Sequence, residues 1–243
     1  MPTISIQLYT LRDALEADRD GTLAAVAAMG VDKVEPFGIE HFDWLPEALA
    51  AAGLQAGSAH ASIVENPEKV LAAAKKLGVT TVFQPGPRPR DAFETREGIE
   101  TVAAEINACV DMFAAEGISI GFHNHDWEFT APLVDGQVAY DYFVSLLDPR
   151  TVLELDTYWA LAGGVDPLAV FEKYGDRITH IHVKDGPIEG GHGVSNVVLG
   201  TGAVDVPRIL EASPNRTWVL EFDIATDAVA ESAASIAYLK EKK

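Results

Sequence analysis

The sequence predicts one parallel (β/α)8 barrel, an α/β fold filling residues 1–243, with an active site at the C-terminal strand ends. Three observations carry this: eight short β-branched or apolar runs, helix-periodic stretches between them, and ionisable residues gathered where the runs stop. Strand–helix alternation with right-handed crossovers gives a parallel sheet, and eight units close on themselves more naturally than they stay open. No G-x-G-x-x-G follows the first run, which removes the main support for a dinucleotide-binding open sheet.

The strands are expected at Thr3–Leu8, Lys33–Phe37, Leu54–His60, Thr80–Gln84, Ser119–His123, Val152–Asp156, Ile178–Val183 and Trp218–Phe222. Asp20 is expected to cap a helix carrying Leu23, Val26 and Ala27 that stops at Gly30. Asn66-Pro67 supplies a cap and a first-turn proline ahead of Val70, Leu71, Ala74 and Leu77, with Gly78 beyond. Asp166-Pro167 repeats the device before Val170 and Phe171, and Asp205 precedes Val206-Pro207. The longest irregular piece, Gly186–Gly202, reads as a mobile loop over one barrel end.

Composition narrows the function. With 18 basic and 37 acidic residues the net charge is −19, which repels phosphate backbones and counts against a nucleic-acid partner. No apolar stretch approaches the roughly 18 residues of a membrane span, and no signal-peptide pattern opens the chain. One cysteine, Cys109, rules out an internal disulfide framework, so the cytoplasm is the expected compartment.

The strand ends are unusually polar: Glu35, His60, His123-Asn124-His125, Glu154-Leu155-Asp156, His180-Ile181-His182-Val183-Lys184-Asp185 and Glu221. Side chains two apart share a face of a strand, so Glu154 pairs with Asp156, and His180 with His182 and Lys184, leaving Leu153, Leu155, Ile181 and Val183 to face the helices. Asp156, His182 and Glu221 thus converge from three successive strands, and a divalent cation offsets the cost of burying them. Imidazole with carboxylate suits Mn²⁺ first, with Zn²⁺, Co²⁺ or Fe²⁺ as alternatives, better than Ca²⁺. Glu154 and His180 lie deeper, where residues that orient ligands sit. Trp127, Tyr158 and Trp159 follow strand ends and suit the wall of a sugar pocket; loop packing explains them almost as well. His41 and His192 receive no role, and Gly200-Thr201-Gly202, with no strand before it, makes a weak phosphate cradle.

At these residues the chain resembles sugar phosphate isomerase/epimerase-type proteins of the xylose-isomerase-like barrel superfamily. The matching pieces run from Gln7-Leu8-Tyr9-Thr10-Leu11-Arg12 and Val34-Glu35 through Gly121–Phe129, Glu154–Trp159 and His180–Asp185 to Leu220-Glu221. The resemblance implies one metal held by residues of the last four strands, with Asp156, His182 and Glu221 at three of the positions. The remaining position falls at His123, where the better-known epimerases carry a glutamate that exchanges a proton with the sugar. His123 as the fourth ligand with His125 as acid/base, the reverse, or three ligands only are all open at this point.

The chemistry this implies is that of an isomerase/epimerase of a sugar or polyol keto compound, with proton abstraction next to a carbonyl and a metal-bound enediolate. Glu221 is the expected base, His125 the opposite-face acid, and Lys184 a donor to an oxyanion or hydroxyl; Glu35, His60, Trp127 and Trp159 are expected to shape the sugar or cyclitol pocket. The same enediolate can eject a β-substituent, so a dehydratase acting on a keto-sugar or inosose is the rival reading. A non-catalytic sugar-binding barrel is the remote one. The metal-dependent endonuclease branch fits poorly with seven histidines and an acidic surface. A homodimer is a further expectation.

Overall fold

The computed structural model describes residues 1–86 and 90–243. Nine parallel strands are hydrogen-bonded in sequence around a barrel: β1 (Ile4–Gln7), β2 (Lys33–Glu35), β3 (Gln55–Ala56), β4 (Ala59–His60), β5 (Thr81–Pro85), β6 (Ser119–His123), β7 (Val152–Asp156), β8 (Ile178–Val183) and β9 (Thr217–Leu220). β1 lies between β2 and β9, and the order runs on through β8, β7, β6 and β5 to β4. Eight strands were expected; the third is split in two. β3 pairs with β2 and β4 with β5. Gly57 N–H to Val34 O and His60 N–H to Pro36 O stitch the gap. The interruption turns the buried Ser58 hydroxyl onto the Glu35 carboxylate, so a ladder rung is exchanged for a hydrogen bond inside the barrel.

Helices fill the expected intervals. Arg19–Ala28 is capped by Asp18, whose side chain accepts from Gly21 N–H; Asp20 lies in the first turn instead. Pro67–Leu77 starts after Asn66 and ends at Gly78, whose φ of 71° a side chain would strain. Asp166 and Asp205 cap Pro167–Tyr174 and Val206–Glu211 through their side chains. Among the described residues no helix is long and apolar enough to cross a membrane.

Strand alternation separates two environments. Leu153, Leu155, Ile181 and Val183 pack into the apolar shell between sheet and helices; burial of each such side chain stabilises by about 1.5–3 kcal/mol. Their neighbours, Glu154, Asp156 and His182, are fully buried in the other environment. A bulge between β7 and β8 sets the level of the two strands: Leu153 pairs with Ile178, but Glu154 pairs with His180 and Asp156 with His182, so Thr179 is the extra residue. Without it Asp156 would stand opposite Ile181. Gly121 on β6 makes room for the Phe83 ring, which a Cβ there would meet at 2.4 Å, and Phe83 packs edge-on against His60 and His180 beneath the site.

The loop after β8, expected to be mobile, is tied down. Asp185, fully buried, accepts four backbone N–H groups: Gly186 (2.8 Å), Gly200 (2.9 Å), Gly202 (3.0 Å) and Val204 (3.1 Å). Hydrogen bonds to a charged acceptor contribute about 1.5–3 kcal/mol each, less than additively. Asp185→Ala is therefore expected to lower unfolding free energy by about 3 kcal/mol in a denaturant titration, with protease cleavage appearing first between residues 186 and 204.

Candidate metal centre

The site is assembled by register. Asp156 and His182 are side by side on β7 and β8, His123 stands opposite Glu154, and Glu221 follows Leu220, which pairs with Val183. Asn124 holds the β7 end: its side chain accepts from Asp156 N–H (3.0 Å) and donates to Asp156 O (3.3 Å). Asp156 Oδ1 caps the following helix by accepting from Trp159 N–H, which leaves Oδ2 for the site.

His123, Asp156, His182 and Glu221, all buried, each bring a ligand atom within 4.8 Å of the others; His60, His123, Glu154 and His182 form a second such group deeper in the barrel. The two shared imidazoles turn one nitrogen to each group. His182 places Nδ1 2.7 Å from Glu221 Oε2 and Nε2 3.2 Å from Glu154 Oε2. His123 places Nδ1 3.2 Å from Glu154 Oε2 and Nε2 4.0 Å from Asp156 Oδ2. His60 Nε2 meets the same Glu154 oxygen, and Glu35 takes Gln7 Nε2 (2.9 Å) and His182 Nε2 (2.8 Å). One deep carboxylate thus gathers the inner nitrogens of three histidines, the arrangement that fixes a ligand imidazole's tautomer and aim.

The outer group already holds a cation. Lys184 Nζ lies 2.8 Å from Asp156 Oδ2, 2.6 Å from Glu221 Oε2 and 2.7 Å from Asp223 Oδ2, and is almost fully buried. Burial alone would lower the Lys184 pKa, but Asp156, Asp223 and Glu221 outweigh it and raise it well above the ordinary lysine value. Burial pushes Asp156 up to about 6, against Lys184 and His182. Glu221 goes the other way: Lys184 and His182 overcome burial and hold it well below the usual carboxylate range. His60 is carried to about 9 by Glu35 and Glu154 despite burial, and His182 is raised by Glu154 and Glu221. Burial keeps His123 and His125 neutral, helped by the positive charges of His182 and Lys184 respectively. A neutral imidazole, a histidine with an oriented inner nitrogen and two carboxylates already closed around a cation make a donor set that fits a divalent ion of the imidazole-and-carboxylate type.

The family model for the xylose isomerase-like TIM barrel matches residues 23–241. The chain belongs to that family. This xylose isomerase-like barrel is 28% identical over 126 residues to the rhizopine catabolism protein MocC of Rhizobium meliloti, a match covering 46% of the chain and 38% of that protein. It is 33% identical over 87 residues to an inosose dehydratase of Lacticaseibacillus casei, covering 35% and 28%. The chain therefore aligns with less than two fifths of the length of these curated relatives. A crystal structure of a sugar phosphate isomerase/epimerase from Parabacteroides distasonis superposes with a TM-score of 0.82 over 98% of this chain and 93% of that one; at 24% identity the likeness is one of fold.

Of the residues expected to act, His123 falls in the ligand group, whereas His125 stands outside it, stacked on Trp127 at 4.1 Å and lining the cleft. His60 lines the cleft and also reaches Glu154; Glu35 lies beneath the histidines, fully buried against Gln7, Ser58 and His182. His180 bonds Thr179 Oγ1 and takes no part in the ligand groups, unlike Glu154. Trp159 is buried with its ring 3.9 Å from His192. His192, left without a role in the sequence, bridges Trp127 and Trp159 and pairs with Asp126 at 2.6 Å, so one cleft wall is the stacked rings of His125, Trp127 and His192, backed by the buried Trp159. The signal for it was weak: a lone histidine in a glycine-rich loop. Glu128 likewise has no role assigned by the sequence. It accepts from His125 N–H at 2.8 Å and from Trp127, and burial pushes it up to about 8.

Two outcomes are expected. Glu154→Gln should weaken divalent-metal affinity by about 10–100-fold in a chelator-competition titration, because the inner nitrogens lose their common acceptor. Glu128 has a folded-state pKa above its unfolded one, so its contribution is present below about pH 4.5 and lost as pH rises through 8. Glu128→Gln should therefore gain stability over the parent above pH 8, by roughly 2–4 kcal/mol in urea melts, and little at pH 4.

Proposed function

We propose that the protein is a divalent-metal-dependent isomerase/epimerase of a sugar or polyol keto compound, working by proton abstraction next to the carbonyl. The observation that carries this is the position of His125: a neutral, half-buried imidazole lining the cleft beside the ligand group, whose ring makes no hydrogen bond through its buried Nδ1 among the described residues. When bound by His123, Asp156, His182 and Glu221, the ion would supply a Lewis acid for the carbonyl and neighbouring hydroxyl oxygens.

The chain's own groups divide the remaining work. Glu221, expected from sequence to be the base, stays ionised between Lys184 and His182 and is better fitted to hold charge than to take a proton. His125 is neutral and so able to accept the proton from carbon. Lys184, ammonium and almost fully buried, stands where negative charge on an enediolate oxygen would be steadied. Trp127, stacked between His125 and His192, keeps the imidazole's plane fixed and shields it from water.

A single base returns its proton to the face it took it from, which suits isomerisation. The second reading, elimination of a β-substituent, is supported by two points: the resemblance puts His123 where the better-known epimerases carry a proton-exchanging glutamate, and relatives named inosose dehydratase match part of the chain.

Keto-sugars and inososes incubated with the Mn²⁺-loaded protein in D₂O distinguish the outcomes by NMR and absorbance. Isomerisation gives a deuterated isomer without a new chromophore. Elimination gives a near-ultraviolet enone and would replace the isomerase reading with the second one. The absence of both products would overturn the proposal. His125→Asn should cut kcat by about 10²–10⁴-fold with metal content unchanged. Because burial holds His125 low, the acid limb of kcat/KM is expected below pH 6.5, activity falling as the imidazole is protonated.

A further inference from the structure

The cleft above the ligand group has a volume of about 940 Å³ and extends from Trp127 and His192 to a second wall formed by the segments after β1, β2 and β4. That is near the top of the range, about 300–1,000 Å³, which accommodates ligands much larger than one six-membered ring. The second wall is aromatic. Tyr9 meets Phe37 edge to face at 5.3 Å, and Phe37 meets Phe42 at 5.7 Å. Tyr9 is 41% exposed, and Ile224, which lines the same cleft, is 36% exposed; few other large apolar side chains among the described residues are as open to solvent. The Arg12 guanidinium covers Tyr9 at 4.3 Å and donates to Tyr9 O and Asp223 O, which fixes this wall relative to the Lys184 carboxylates.

Between the aromatic row and the ligand group lies Glu40. Its side chain is 1% exposed, and it lines the cleft. Oε1 accepts from Ser62 N–H at 3.0 Å and stands 3.5 Å from His41 Nε2, while Oε2 has no partner among the described residues. A buried carboxylate oxygen left unpaired is costly, and a hydroxyl donor from a ligand removes that cost. An acceptor for a hydroxyl beside aromatic rings that line the cleft, Tyr9 exposed and Phe37 and Phe42 half-buried, matches the two sides of a pyranose, its OH edges and its C–H face. The cationic group nearest this wall, Arg12, is already spent on backbone carbonyls, so an uncharged ring fits better than a phosphorylated one.

We propose that this wall is an outer subsite for a second, uncharged sugar ring, and that the substrate is a glycoside. This rests on the isomerase reading for the inner ring only: the keto ring would lie at the ligand group, and its glycosidic partner against Tyr9, Phe37 and Phe42 with a hydroxyl donating to Glu40 Oε2.

The test is binding, which needs no turnover. Cellobiose, maltose, trehalose and glucose are titrated calorimetrically into the Mn²⁺-loaded protein, and saturation-transfer NMR records which protons touch it. The expected result is at least one disaccharide binding about tenfold or more tightly than glucose, with transfer to both rings. Glu40→Gln, which keeps an oxygen for Ser62 N–H, and Tyr9→Ala, at an exposed position, should each erase about tenfold of that preference and leave glucose unchanged. Equal affinity for glucose and every disaccharide, or transfer to one ring only, would overturn the subsite. Two-ring binding without turnover of any keto-glycoside would count against the isomerase reading and leave the subsite standing.

Discussion

Four carboxylates, Glu35, Glu154, Asp156 and Glu221, are buried inside one end of this barrel, and the arrangement of the site follows from the need to compensate them. Left alone, each would pay several kcal/mol of lost hydration and shed its charge by taking up a proton. The structure instead answers them with positive groups from other strands: His60 and His182 face Glu35 and Glu154, and Lys184 faces Asp156 and Glu221. The compensation is uneven. The inner carboxylates are held by imidazole N–H groups at fixed geometry, whereas Asp156, Glu221 and Asp223 share one flexible lysine. The outer group is therefore the one whose counter-cation can be exchanged for an ion of higher charge, and the inner group is the one built to stay as it is.

That division gives the two shared histidines their meaning. His123 and His182 each turn one ring nitrogen inward to Glu154 and the other outward to the ligand group, so the inner carboxylate fixes the aim of both rings. The outward nitrogen of His182 faces Glu221 as a donor and would present a lone pair only once a divalent ion replaced its proton. The division also separates His123 from His125, which the His-x-His spacing alone does not. Two residues along a strand share a face only while the strand continues; β6 ends at His123, and His125 lies beyond it, its backbone N–H held by Glu128 and its ring laid on Trp127.

Much of this was legible in the sequence, and the gaps have physical causes. Strand spacing, helix caps and period-two alternation placed Asp156, His182 and Glu221 together because those signals are local. The bulge at Thr179 was not legible, since nothing in Ile-Thr-His-Ile-His marks an extra residue until β7 lies beside it. The split of the third strand depends on Ser58 reaching Glu35, a contact 23 residues apart in the chain. The loop after β8 looked mobile from its glycines. Those glycines bring N–H groups close to Asp185, and a Cβ at Gly202 would lie 2.2 Å from its carboxylate. Glycine content alone does not distinguish a loop that moves from one that wraps tightly around an anion.

The histidine at position 123 bears on which reaction the site favours. With a glutamate there, three carboxylates and a divalent ion would leave the ligand set one charge negative. With a neutral His123, Asp156 and Glu221 balance such an ion, and the charge of Lys184 is left over for the substrate, apart from what Asp223 takes. A site with that surplus would stabilise negative charge developing on a substrate oxygen, which in the proposed reaction would lower the barrier to an enediolate. Relative to the glutamate that the resemblance implies at this position, His123 would leave the site without a second proton carrier on the opposite face. In the proposed reaction the same residue would make carbanion formation easier and two-sided reprotonation harder, and both consequences would direct an enediolate toward same-face transfer or loss of a leaving group.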